Sequence, residues 1–369
     1  MSTTEKQYFS LLRAALWGTP ADTTEAIDWD AVMRMAQHHG NNVLLSDVAF
    51  RLDEVNQPSP QWAAWMRNEM RGNLLHQLQQ KQIMVSAVTA LRENGIEPVV
   101  LKGFSLAMLY PNPNLRQFGD IDIYVGLDHF HEACAVLRQL SGGYNWGKEA
   151  DSGHQYNIEF GQYPMEIHRV SADVENPKEQ AFYADIEHDG LRQHLQNVCY
   201  EGFEITIPSK EFMVFYTFYH TWHHFMTSGV GWRQVTDTAM TLHAYHGELD
   251  LEKLRVWLTG MHLMKPWQAF GYLMVEQLGL PQAELPFYDI SCRRTARKLY
   301  HRIMEAGNFR RDSRFKQSKP QQAGMGRKMH AFAGLFVDFV YQAKVFPAAA
   351  GREFCSVLKL SLRKFFKNN

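Results

Sequence analysis

Cysteine is scarce in this chain, and long apolar runs are missing altogether. The four cysteines, Cys134, Cys199, Cys292 and Cys355, are scattered through 369 residues. Their separations exclude the paired spacing of a zinc ribbon and the dense framework of a disulfide scaffold. They fit a reducing compartment. No apolar stretch reaches the ~18 residues that a membrane span needs. The opening MSTTEKQYFSLLRAALWG has neither the basic flank nor the apolar core of a signal peptide, so the cytoplasm is the expected location. Charge of one sign is lacking too. A formal net charge of -1 gives the chain no global pull on nucleic acid or a membrane surface. Extensive nucleic-acid binding is therefore not expected. Low-complexity tracts and internal repeats are likewise absent.

What remains is ordinary globular material. Hydrophobic residues make up 45% and charged residues 21%, and the length suits two or three domains. Residues 1–95 read as helical. Phe9, Leu11, Leu12 and Leu16 form an apolar face that ends at Gly18-Thr19-Pro20, and Asp28 opens a second helix. A break at Gln57-Pro58-Ser59-Pro60 precedes a long helix over 61–93, stopped by Asn94-Gly95. From Ile96 the pattern becomes mixed. Strands are expected over 98–101, 120–125, 155–160 and 165–170, with helices over 104–110 and 127–140. Residues 178–200 are polar and mixed, EGFEITIP reads as a short strand, and apolar helices follow. The expected fold class is α+β. A small mixed sheet over residues 96–176 has a helical region before it (1–95) and a helical domain after it (177–369).

The chemistry concentrates in PVVLKGFSLAMLYPNPNLRQFGDIDIYV. Asp120 and Asp122 stand at i and i+2, so on a strand both carboxylates project to one face, roughly 7 Å apart. Their neighbours Ile121, Ile123 and Val125 give packing no use for two acids. Like charges on one face repel unless a cation lies between them, and hard divalent cations take oxygen ligands. This pattern points to Mg²⁺ facing a nucleotide. A third acid, Glu166, sits in the otherwise apolar PMEIHRV and shares a face with His168. It reads as a ligand or as an exposed edge-strand glutamate, and beside the paired aspartates the ligand reading takes precedence. Three such carboxylates can hold two Mg²⁺ ions roughly 4 Å apart, which neutralise a triphosphate and activate an attacking hydroxyl.

Phosphates also need donors. Lys102-Gly103 closes the first strand just before a helix start, where free N–H groups face an anion. Gly103 allows close approach, Lys102 brings a point charge and Ser105 a hydroxyl. The same dipeptide also reads as a plain strand-to-helix turn. Arg116, four residues before Asp120, reads as reaching the phosphates or bracing a carboxylate, and equally as an ordinary surface arginine.

The order L-K-G-x-S, L-R-x-x-G-D-I-D-I-x-V, M-E-I-H resembles the nucleotidyltransferase superfamily of the DNA polymerase beta type. Within it, the chain looks similar to a bacterial branch of uncharacterised nucleotidyltransferases. The core of the resemblance covers residues 96–170. A looser likeness continues through His220, Trp222, His223 and His224 and through W-R-x-x-x-D. The resemblance implies an NMP moved from an NTP, ATP included, to a hydroxyl-bearing acceptor with release of pyrophosphate. It implies Asp120, Asp122 and Glu166 as ligands of two Mg²⁺ ions and Gly103 as the turn glycine. Phe104 departs from the pattern, which places Gly or Ser there; Ser105 comes one residue later. No motif names the acceptor, the base or the oligomeric state.

Two rivals come from other classes. His220, His223 and His224 share a helix face at i, i+3 and i+4 and suggest a zinc hydrolase. Their helix, with Phe215, Phe218, Trp222 and Phe225, reads as buried, so a structural role is the expected one, with His220 or His224 facing the cleft to help bind the acceptor as a middle option. The other rival is an inactive nucleotide-binding or antitoxin-like interaction protein, which retention of all three acids disfavours. Arg233 and Asp237 form an i, i+4 pair of routine helix chemistry, with a cleft role for Asp237 as the alternative that the resemblance implies. Basic residues cluster at Arg310, Arg311, Arg314 and Lys316 and in KLSLRKFFK; the latter reads as a solvated helix end, with contact to a membrane surface or nucleic acid as the alternative.

Overall fold

Alternating side chains between residues 99 and 207 build a six-stranded mixed sheet. Its strands are β1 (Val99–Val100), β2 (Ile121–Tyr124), β3 (Gln155–Phe160), β4 (Tyr163–His168), β5 (Gln196–Tyr200) and β6 (Phe203–Ile207). They lie in the order β3-β4-β2-β1-β6-β5. The β2–β4 and β1–β6 pairs are parallel and the rest antiparallel. The computed structural model describes residues 1–142, 153–174, 176–308, 339–352 and 354–355. The basic clusters at 310–316 and 359–367 lie outside them.

Helices surround the sheet. Before it come α1 (Thr3–Trp17), α2 (Trp29–His39), α3 (Asn42–Ala49) and α4 (Pro60–Glu93). Between strands run α5 (Phe104–Ala107), α6 (Gly126–Leu140) and α7 (Pro177–His188). After it come α8 (Lys210–Thr227), α9 (Trp232–Tyr245), α10 (Leu251–Gly260), α11 (Met264–Glu276) and α12 (Arg293–Ala306). Side chains begin these helices where the sequence offers caps. Ser2 and Glu5 close a capping box on α1, and Asp28, Ser59 and Ser209 each accept a backbone N–H at their helix start. The architecture is α+β, as the alternation of patterns indicated. No helix among the described residues is long and apolar enough to cross a membrane.

The hairpin of β5 and β6 extends the sheet past residue 176. Residues 196–200 show little apolar alternation because β5 is an edge strand, with Asn197 and Cys199 exposed. An edge strand faces water along much of its length, so the period-two signal is weak.

The sheet's two faces belong to different cores. Val100, Ile121, Ile123, Met165 and Ile167 pack with Met84, Val88 and Leu91 of α4 and with Phe130 and Leu137 of α6. Val99, Leu101 and Tyr124 point the other way, into a larger core with Phe212, Phe215 and Tyr216 of α8. By strand alternation, Asp122 and Glu166 share this second side, against the C-terminal helices.

Phe104 is 1% exposed, with its ring edge-on to Phe118 at 5.0 Å and to Tyr200 at 5.2 Å. It is a core residue, which accounts for its departure from the Gly or Ser of the family pattern. Phe104→Ser should cost about 3–5 kcal/mol in urea unfolding, the range for deleting a buried aromatic. A loss below about 1 kcal/mol would show that the ring is not part of this core.

Candidate active site

Parallel pairing sets the register Asp122 with Glu166 and Tyr124 with His168. Neighbouring strands lie about 4.8 Å apart, so the two carboxylates stand side by side, with His168 two residues along the same face. Asp122 is fully buried, whereas the Glu166 side chain keeps 23% of its exposure. Lys102, just past β1, places its Nζ 3.0 Å from Asp122 Oδ1. His168 Nε2 lies 3.1 Å from the same oxygen and 3.6 Å from Glu166 Oε2.

Asp122, Glu166 and His168 offer ligand atoms within 4.8 Å of one another. The second oxygen, Asp122 Oδ2, is buried with no hydrogen-bond partner among the described residues. Orphaned buried carboxylate oxygens are rare, and this one fits a cation held by oxygen-rich ligands. Asp120 lies immediately before β2 and lines the same cavity as Glu166.

The charges strain one another. The Asp122 carboxylate, aided by burial, raises Asp120 above the usual range. Burial followed by the Asp122 charge pushes Glu166 up to about 7. Burial works against ionised Asp122 as well, yet Lys102 and the His168 hydrogen bond outweigh it and hold the carboxyl well below its ordinary value. Burial would likewise discharge Lys102, but Asp122 and the other acids hold it well above its usual range. The cluster is therefore three carboxylates around one buried ammonium, with Asp122 the one held ionised.

A glycine turn joins this cluster to the cavity. Gly103 has φ 65°, and a Cβ there would meet the Phe118 ring at 3.2 Å and the Asp120 carbonyl oxygen at 3.4 Å. Only glycine takes that backbone without strain. Arg116 braces the turn by donating Nη1 to the Gly103 carbonyl at 3.0 Å. Its Nε and Nη2 donate to Asp237 Oδ1 and Oδ2 at 2.6 and 2.9 Å, a bidentate fork. Tyr110 donates its hydroxyl to Asp237 as well, at 2.7 Å. Three Arg116 donors are thus committed to the protein. Ser105 is fully buried, donates its hydroxyl to the Leu101 carbonyl and does not line the cavity.

The cavity is about 830 Å³, within the range of small-molecule sites. Lys102, Gly103, Asp120 and Glu166 form part of its wall, together with Arg233, His220 and polar side chains of α4. Arg233 donates Nη1 to the Gln117 carbonyl at 2.9 Å, while its Nε is buried without a partner among the described residues. The i, i+4 rule paired Arg233 with Asp237, but the Asp237 carboxylate is taken by Arg116, 121 residues away in sequence. No local pattern reveals that. His168 was visible in M-E-I-H as a face-mate of Glu166, though without a role.

His220 and His224 line the cavity with their Nε2 atoms 2.9 Å apart. Burial and the nearby Lys102 charge push His220 well below its ordinary value, so it is neutral. His223 is exposed. Among the described residues, no group of three or more candidate metal ligands contains these histidines. The zinc site expected of a hydrolase on His220, His223 and His224 has no convergent geometry.

The Glu166 shift has a measurable consequence. The folded protein holds this proton up to about 7, whereas an unfolded glutamate releases it near pH ~4.3. Between those values the native Glu166 holds a proton that the unfolded glutamate has released, so this group's own contribution to the stability of the metal-free protein grows as pH falls from 8 to 5.5. Glu166→Gln should raise its melting temperature at pH 8 by a few degrees, with the two proteins converging at pH 5.5. Equal melting temperatures at pH 8 would contradict the buried repulsion.

A solved nucleotidyltransferase-like protein, an antigenic protein of Paracoccidioides brasiliensis, aligns at 13% identity and a TM-score of 0.33. The alignment covers 57% of this chain and 94% of that one, a likeness too distant to carry an argument. No curated protein matches the chain. A family model described as uncharacterised nucleotidyltransferase matches residues 25–279, well over half of the length. The match takes in the sheet, the paired acids and helices α8 and α9, and the chain belongs to this nucleotidyltransferase family.

Proposed function

We propose that the chain is a Mg²⁺-dependent transferase of the DNA polymerase beta type. It moves a nucleoside monophosphate from an NTP to a hydroxyl-bearing acceptor. The acceptor oxygen forms a bond to the α-phosphorus, the bond from that phosphorus to the bridging oxygen breaks, and pyrophosphate leaves. The observation that carries this reading is the register of Asp122 against Glu166, with an orphaned Asp122 oxygen and Asp120 two residues before.

Asp120, Asp122 and Glu166 would hold two Mg²⁺ ions, with His168 orienting the Asp122 carboxylate through their 3.1 Å contact. When bound, Mg²⁺ supplies charge neutralisation at the phosphates and a more acidic acceptor hydroxyl. Lys102 and the backbone at Gly103 receive the triphosphate, and Arg233 adds a second cation to the cavity lining. Arg116 acts behind them, holding the Gly103 turn to α9. Glu166, on the cavity wall, is placed to draw the proton from the acceptor hydroxyl. The catalytic unit in this reading is the sheet-bearing region between a helical N-terminal region and a helical C-terminal domain, and the C-terminal helices close the acceptor side.

The test is Mg²⁺-dependent NTP turnover by wild type and by the Asp120→Asn, Asp122→Asn double variant. These changes keep side-chain volume and remove both charges. Turnover should fall at least about a thousandfold, the several kcal/mol that ligand and charge loss remove from transition-state stabilisation. Unchanged turnover in the folded double variant would refute the assignment.

A further inference from the structure

Helix α9 carries a second cluster at its far end. Arg233 opens the helix on the cavity, while His243 stands ten residues later, about 15 Å along the axis. His243 and His246 are i and i+3 at the α9 C-terminus, and Glu284 comes from the short helical turn Gln282–Glu284 that follows α11. His243 Nδ1 lies 2.7 Å from Glu284 Oε2. His246 Nδ1 lies 2.7 Å from the His243 carbonyl oxygen. The two rings are nearly parallel, 22° apart with centroids 5.9 Å distant, and Trp17 packs edge-on to His243 at 5.0 Å. Ligand atoms of all three residues fall within 4.8 Å of one another.

The hydrogen bonds select the ring tautomers. A carbonyl oxygen only accepts, so His246 Nδ1 carries the proton and Nε2 keeps its lone pair. This is the arrangement in metal-ligating histidines, where the far nitrogen donates to a carbonyl or carboxylate. His243 instead turns Nδ1 toward Glu284 Oε2, so a bound ion takes the place of the proton they share and lies between those two atoms. Glu284 is held in place, with only 12% of its side chain exposed. His246 is exposed. A rotamer change there closes the set toward the ~3.4 Å spacing of tetrahedral ligands.

We propose that His243, His246 and Glu284 form a Zn²⁺ site, separate from the cavity, with three protein ligands and a fourth position open to water. Two imidazoles and one carboxylate are a zinc donor set, whereas Mg²⁺ takes oxygen ligands. The ion ties the end of α9 to the segment after α11, two parts of the chain separated by about forty residues, so binding also stabilises the fold.

The test titrates ZnCl₂ into chelator-stripped full-length protein by calorimetry, in saturating Mg²⁺. Asp122→Asn serves as the background, to disable the other cluster. One equivalent should bind with micromolar affinity or better and raise the melting temperature by a few degrees. His246→Ala and Glu284→Gln, each added to this background, should weaken binding at least about tenfold while leaving the metal-free melting temperature within ~2 °C. Two variants from different segments guard against a folding defect in either one. Absence of binding up to about 100 µM Zn²⁺, an interaction weaker than ~5.5 kcal/mol, would overturn the site. Undiminished binding by His246→Ala or Glu284→Gln would overturn it equally.

Discussion

Two carboxylates held side by side by a parallel strand pair repel each other, and the residues around β2 and β4 answer that repulsion. The register that matches Asp122 with Glu166 is enforced by apolar residues on the opposite sheet face. Ile121, Ile123, Met165 and Ile167 are all essentially fully buried there. A one-residue slip would drive those apolar side chains out and the acids into the core. Packing on one face thus maintains electrostatic strain on the other. Lys102 relieves part of that strain at 3.0 Å from Asp122. Glu166, with no ammonium at such a distance among the described ion pairs, is the group whose proton affinity rises.

A second buried charge pair sets the shape of the approach. Arg116 joins the Gly103 turn to Asp237 of α9, so the turn beside the acids is anchored to the C-terminal helices rather than to the sheet alone. Removing one partner of such a pair leaves an uncompensated buried charge, at a cost of about 3–5 kcal/mol. Arg116 lines the cavity with its donors committed to the protein, while Lys102 and Arg233 share the lining with Asp120 and Glu166. The proposed transfer chemistry needs that opposition of signs, since a metal–triphosphate substrate presents both.

Much of this was legible in the sequence because it violates local rules. Two acids at i and i+2 in an isoleucine strand have no packing use, and a glutamate in an apolar strand has little more. The α+β class, the helices before the sheet and strand β3 followed from periodicity and caps. Other features were hidden for physical reasons. Glu166 was read as the third acid, from a strand next to the paired aspartates; what the sequence did not encode is the parallel register that sets it directly against Asp122. Asp237 was read with its helical neighbour Arg233, but its carboxylate goes to Arg116 far away in sequence. Ser105 was read as facing the phosphates, whereas a four-residue helix turns its hydroxyl onto Leu101. Edge strand β5 hardly alternates and so left no signal.

The most direct measurement follows the α-phosphorus. The protein is incubated with Mg²⁺, a cell metabolite extract and, in parallel, each NTP labelled at the α- or γ-phosphate. Transfer of a nucleoside monophosphate predicts the α-label in a new, phosphatase-resistant product and the γ-label in pyrophosphate. A γ-label carried onto an acceptor, or released as inorganic phosphate with the α-label left in a nucleoside diphosphate, would contradict it.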